Sequence, residues 1–286
     1  MHFILISIIC SVFVGVLLKI ARNKDLSIYQ IISWNYLFAL LALLVTYKPV
    51  INTNFGMETG IVTGSLIFLL PVIFVFQAKA IKHSGIVKTD IAQRLSLFIS
   101  ICFSLFIAKE IFNSYKVIGL IIAFIAIFFT FYKKQQTGTD DSKAYFLVLV
   151  LGGFGIIDIL FKKVATIGEL KFTELLLLVF IGALAVAWTI SGYYITIKKE
   201  YFSIRNMYWG ILVGLLNFSN ISFYIKAHQN LSSNPSTVFI GMNMGVILLG
   251  SMIGVFYFKE KLTKLNYFGV VLSLLSIVLI AYSQMQ

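Results

Sequence analysis

Asp90 and Arg94 stand four residues apart in the stretch SGIVKTDIAQRLSLFISICF. On a helix this spacing puts both side chains on one face, with the acid first, the order that favours an ion pair. If the helix begins near Gly85, Arg94 lies roughly 13 Å along it at 1.5 Å per residue. That is close to the middle of a hydrocarbon layer of about 30 Å. An arginine facing lipid there costs about 2.5–3.5 kcal/mol on insertion scales, so the guanidinium must face the inside of a helix bundle. Two roles are open to it. It can be neutralised by Asp90 and fix the helix, or it can offer its fork of donors to an anionic group of a bound solute, such as a carboxylate.

Asp158, in GGFGIIDILFKK, is a second carboxylate inside an apolar run. It can pair with Lys162 one turn on, or it can face the bundle interior. There it would neutralise Arg94, hold a cationic group or carry a proton. Gln93 and Asn243 stand 150 residues apart, and Asn217, Asn220, Trp34 and Trp188 add amides and indoles to other apolar runs. Each alone suits an interhelical hydrogen bond or packing contact. Together, Arg94, Gln93, Asp158, Asn243, Trp34, Trp188 and Asn217 are the side chains that would line a wet pocket for a small molecule.

The elements that must position them follow from composition. The chain has 286 residues, 59% of them hydrophobic and 12% charged, with a mean hydropathy of +0.96. A soluble domain carries roughly 25% charged residues, so the expected solvent is a lipid bilayer. The net charge of +12 comes from short basic clusters between apolar runs. Clusters of that kind suit cytoplasmic loops and anionic lipid, not nucleic acid. The odd-numbered connections hold most of the 23 basic side chains, which places both termini outside. Cys10 and Cys102 are isolated, and His2, His83 and His228 have no partner at metal spacing. Neither a metal nor a cofactor is expected, and no phosphate-binding loop or nucleophile motif points to an enzyme. The first run lacks a basic leader and reads as a retained span.

A spanning helix takes about 20 apolar residues. Ten runs qualify, near 3–20, 28–47, 59–81, 86–108, 114–132, 144–163, 173–197, 206–228, 235–257 and 265–283. The charged stretch YKKQQTGTDDSKAY at the midpoint divides the chain into 1–136 and 143–286, five runs each. Motifs recur across that divide in the same order: LLK and LFK, GIVTG and GILVG, FQAKA and FYIKA, AKE and FKE. An odd number of crossings per copy turns the second copy upside-down. The expected fold is therefore all-α, ten transmembrane helices in two inverted five-helix repeats with a shared midplane site.

The Lys-Glu pairs Lys109-Glu110 and Lys259-Glu260, each with a glycine nine residues after the Glu (Gly119, Gly269), resemble the ten-helix EamA-like branch of the drug/metabolite transporter superfamily. Ser96 and Val246 stand where that branch often carries proline. The resemblance implies a metabolite or drug carrier in the cell's inner membrane with both termini cytoplasmic, which conflicts with the charge bias. Glu110 and Glu260 themselves read as interfacial carboxylates that pair with lysine or cap the next helix, with proton coupling as the sharper alternative.

The reading reached is a secondary transporter for an amino-acid-like or other anionic or zwitterionic metabolite, working by alternating access as a monomer or homodimer. A coupled ion or an exchanged solute would be its further partner. The alternatives are a broad efflux carrier for cationic or lipophilic compounds and, outside transport, a membrane assembly subunit or lipid-active enzyme.

Overall fold

The computed structural model describes residues 2–50, 54–108, 114–131, 145–230 and 235–283. The midpoint linker and the Lys109-Glu110 pair fall outside the described residues. Among the described residues ten α-helices follow one another: α1 (His2–Asn23), α2 (Ile28–Tyr47), α3 (Met57–Ser84), α4 (Ile86–Ala108), α5 (Ser114–Phe131), α6 (Tyr145–Ile167), α7 (Phe172–Thr196), α8 (Ile204–Asn230), α9 (Pro235–Met252) and α10 (Lys264–Ser283). Five of them, α1, α2, α3, α7 and α8, are long and apolar enough to cross a membrane. Together with shorter apolar helices, they make this an integral membrane protein.

Local chemistry sets the helix ends. Ser27 accepts from the Gln30 N–H at the start of α2. Thr263 and Asn266 bond each other's backbone N–H reciprocally at the start of α10, at 3.2 and 3.0 Å, a variant of the capping box. Asn266 also donates to the carbonyls of Phe129 and Thr130 at 3.0 and 3.1 Å, tying α10 to the end of α5. The run expected as one span over 235–257 does not stay α-helical. It widens to a π-helical turn over Ile253–Tyr257, with Phe258 N–H reaching back to the Ile253 carbonyl at 3.1 Å.

The helices pack as a set of pairs: α1 on α8 and α9, α6 on α3 and α4, α8 on α2, α3 on α7, and α2–α7, α4–α9 and α5–α10 across. Exchanging each helix for the one five places along leaves this set unchanged, whereas the smaller α1–α3 and α2–α3 contacts have no counterpart of like size in α6–α8 and α7–α8. Glycine permits the closest approaches. A Cβ at Gly214 on α8 would lie 2.7 Å from the Asn35 carbonyl oxygen on α2, and Gly210 one turn earlier also faces that backbone. Gly60 and Gly64 carry the same spacing on α3 but make no such crossing, since nothing lies within 4 Å of a Cβ at Gly64. On the related α3–α7 contact it is Gly182 that receives a side chain, Ile67.

Contacts between helix ends define two faces. Where α1 ends, Ser27 donates to Glu200 at 2.6 Å and Asn206 donates to Gln30 at 2.9 Å. On the face where α1 begins, the Gly56 N–H donates to Glu169 at 2.8 Å, and Lys163 pairs with Glu58 at 2.8 Å.

Candidate functional site

Arg94 lies in the first half of α4, and its Nη2 donates to Ser11 Oγ on α1 at 2.8 Å. Asp90, one turn earlier, is buried against α1 and α9 where Gly15 and Gly250 leave room. Its Oδ2 has no hydrogen-bond partner. The carboxylate needs Gly250, because a Cβ there would collide with it, whereas a Cβ at Gly15 would stand 4.0 Å away. A polar stripe at helical spacing on α1 explains much of this arrangement. Ser7, Ser11, Gly15 and Lys19 recur every four residues and so share one face. In turn they meet Asn220, Arg94, Asp90 and Glu260.

Asp158 on α6 reaches the same region. Ser96 sits near both partners through one hydroxyl, 3.3 Å from Asp158 Oδ2 and 2.6 Å from the Gln93 carbonyl. The alternative pairing of Asp158 with Lys162 involves a side chain outside those described.

Arg94 and Asp158 line one cavity of about 310 Å³, together with Gln93, Asn217 and Asn243. Helices of both halves supply its wall, with Tyr36 from α2, Leu70 from α3, Phe154 from α6, Phe180 from α7, Tyr224 from α8 and Met242 from α9. Its lining extends to Phe172, the first residue of α7. It therefore reaches towards the face where α1 begins. A lobe of about 110 Å³ adjoins its inner end, lined in part by Ser11, Gln77, Gln93, Asn217 and Asn220.

At the face where α1 ends, an ion cluster joins α1, α4 and the segment after α9. Glu260, just past the π-helical turn, pairs with Lys19 of α1. It also accepts from the first N–H groups of α4, Ile86 at 2.6 Å and Val87 at 3.2 Å. An anion at a helix start is favoured by the exposed N–H groups and the helix dipole. Gly85 makes room for it: φ is +88°, and a Cβ would lie 2.5 Å from Glu260 Oε2. Lys19 also stands over the Phe258 ring at 4.4 Å.

The structure thus brings Gln93, Arg94, Asp158, Asn217 and Asn243 to one cavity. Trp34 and Trp188 do not line it. Their rings meet edge to face at 5.1 Å on the α2–α7 contact, and Trp34 packs on Gly210. Ser11, Gln77 and Tyr224 are cavity residues outside the expected set. The four-residue spacing of Ser7, Ser11, Gly15 and Lys19 is the sequence signal that could have pointed to Ser11.

A family model described as the EamA-like transporter family matches residues 1–132, ending one residue past α5. An uncharacterised protein of Haemophilus influenzae is 40% identical over 290 residues, spanning 99% of this chain and 98% of its own length. With apolar spans, a shared internal cavity and a match confined to the first five helices, the chain belongs to the EamA-like transporter family, a family of membrane transporters and not of enzymes.

Proposed function

We propose that the chain is a secondary transporter of the inner membrane that moves a small anionic or zwitterionic organic solute by alternating access between two inverted five-helix repeats. The observation that carries this reading is a cavity lined by helices on both sides of the midpoint, with Arg94 and Asp158 in its wall, in a bundle whose α1 is tied to the end of α9 by the Lys19–Glu260 pair. The symmetric set of helix pairs and the match to the first five helices support the repeat. Five crossings per copy make such a repeat inverted. Arg94 would hold the solute's carboxylate, and Asp158, on the facing helix, would take an ammonium group.

Arg94→Ala tests the reading in proteoliposomes, with labelled amino acids as the probe. Counterflow should fall by at least tenfold, because a buried charge-assisted hydrogen bond contributes about 1.5–3 kcal/mol. Unchanged rate and apparent affinity would remove Arg94 from the site.

A second reading has a specific observation behind it. Phe154, Phe161 and Phe172 stand in the same wall as Asp158, which suits export of a cationic, lipophilic compound. Quaternary amines would then compete for transport better than amino acids, and Asp158→Asn would be more damaging than Arg94→Ala.

A further inference from the structure

The inner end of the cavity has a hydrogen-bonding polarity that is fixed from behind. Gln77 of α3, 7% exposed, donates its Nε2 to Gln93 Oε1 at 2.8 Å. Ser7 of α1, fully buried, donates to Asn220 Oδ1 at 2.8 Å and lies 3.0 Å from the Asn220 carbonyl oxygen. A carboxamide carries one acceptor oxygen and one NH₂ with two donors. Where a protein donor holds the oxygen, the NH₂ is the group left for the cavity. Gln93 and Asn220 line both the main cavity and the adjoining lobe. Arg94 has donors only, and its buried Nε lacks a partner. Three side chains, from α4 and α8, therefore turn donors to the same end, where Asn217, its NH₂ donating to Asn35 Oδ1 at 3.3 Å, and Gln77 itself leave amide oxygens.

We propose that Ser7 and Gln77 are positioning residues that set the specificity of the site: by holding the oxygens of Asn220 and Gln93, they present N–H donors that accept a carboxylate and reject a carboxamide. The inference rests on the transport reading above and deepens it. A solute carboxamide that takes the same donors has to reach the Asn217 or Gln77 oxygen with its NH₂ or leave it against protein donors. A buried donor without an acceptor is costly, and such sites reject the mismatched analogue strongly.

The test is counterflow in phosphatidylethanolamine–phosphatidylglycerol proteoliposomes. The probe is a labelled mixture of L-amino acids, with leucine or leucinamide as competitor. In the unaltered protein leucine should compete about 10- to 100-fold better, the range that one unsatisfied buried group implies. Gln77→Glu can only accept. It would draw the Gln93 NH₂ to itself, turn the oxygen to the cavity and narrow that ratio by about tenfold. Ser7→Ala should narrow it too, and Ser7→Thr, which keeps the hydroxyl, should restore it. A general loss of packing would weaken both competitors equally and leave the ratio where it was. An unchanged ratio in Gln77→Glu and Ser7→Ala, with transport intact, overturns the inference alone. If Gln77→Glu does not fold, the ratio in Ser7→Ala decides. Absence of counterflow in the unaltered protein overturns the transport reading and this inference with it.

Discussion

The Lys19–Glu260 cluster makes an asymmetric prediction about stability. The two side chains are 16% and 9% exposed. Glu260 also serves the two N–H groups that begin α4. Glu260→Ala strands a largely buried ammonium and those N–H groups at once, and breaking a buried pair from one side costs about 3–5 kcal/mol. Lys19→Met strands much less, because the carboxylate keeps both N–H groups and the positive end of α4. An anion at a helix start is itself stabilised by about 0.3–2 kcal/mol. A loss smaller than that of Glu260→Ala by about 0.3–2 kcal/mol is therefore expected for Lys19→Met. The double variant has no stranded ammonium. It should be more stable than Glu260→Ala alone by about 1–3 kcal/mol, a strong failure of additivity between touching residues. The assay is reversible unfolding of the purified protein in mixed micelles, monitored by tryptophan fluorescence. Equal losses in the single variants that simply add in the double would refute the account of Glu260 as a shared acceptor.

Other outcomes follow from the packing and the cavity. Gly214→Val should cost about 1–3 kcal/mol by overpacking, because its first carbon meets the α2 backbone. Gly64→Ala, in the matching motif of α3, should leave the melting temperature nearly unchanged, since a Cβ there meets nothing. Asn266→Ala removes the start of α10 and its two bonds to α5; a loss of about 1–2 kcal/mol is expected in the same unfolding assay. Asp158→Asn should weaken competition by amino acids more than by simple carboxylates lacking an ammonium group, as read in counterflow.

Much of the fold is legible in the chain because lipid removes other choices. Apolar runs of spanning length must be helices, and ten runs become ten helices among the described residues. The π-helical turn is not legible, since Ile253–Tyr257 is as apolar as the α-helix before it. Long-range chemistry accompanies the change there: the Glu260 N–H reaches back to Gly254 while its carboxylate sits at the start of α4. Charged and amide side chains were the most informative about the cavity. Arg94, Asp158, Gln93, Asn217 and Asn243 are too costly to face lipid, and an interior wall takes them. Trp34 and Trp188 carried no such constraint, for an indole in an apolar helix packs as well as it binds. Gln77 was silent because a lone amide in an apolar helix has many possible partners, and Ser7, though part of the four-residue stripe on α1, names no partner by its spacing. Only the coordinates show that theirs are the two amides at the inner end.

Under the proposed alternating access the ion cluster has a second, functional consequence. For the cavity to open at the face where α1 ends, α1 and α4 must part from the end of α9. The Lys19–Glu260 bond holds them together. A solute shifts that balance only by binding one state better than the other, so each unit of energy in the bridge must be matched by differential binding. Weakening the bridge by about 1–2 kcal/mol should raise the opposite state about 5- to 30-fold. The measurement uses Leu70→Cys, a cavity residue, in a background without Cys10 and Cys102. A membrane-impermeant maleimide should reach it from one face only. With Lys19→Met added, labelling from the other face should rise by that factor. If labelling stays one-sided while stability falls, the bridge holds the fold together but does not govern which face the cavity meets.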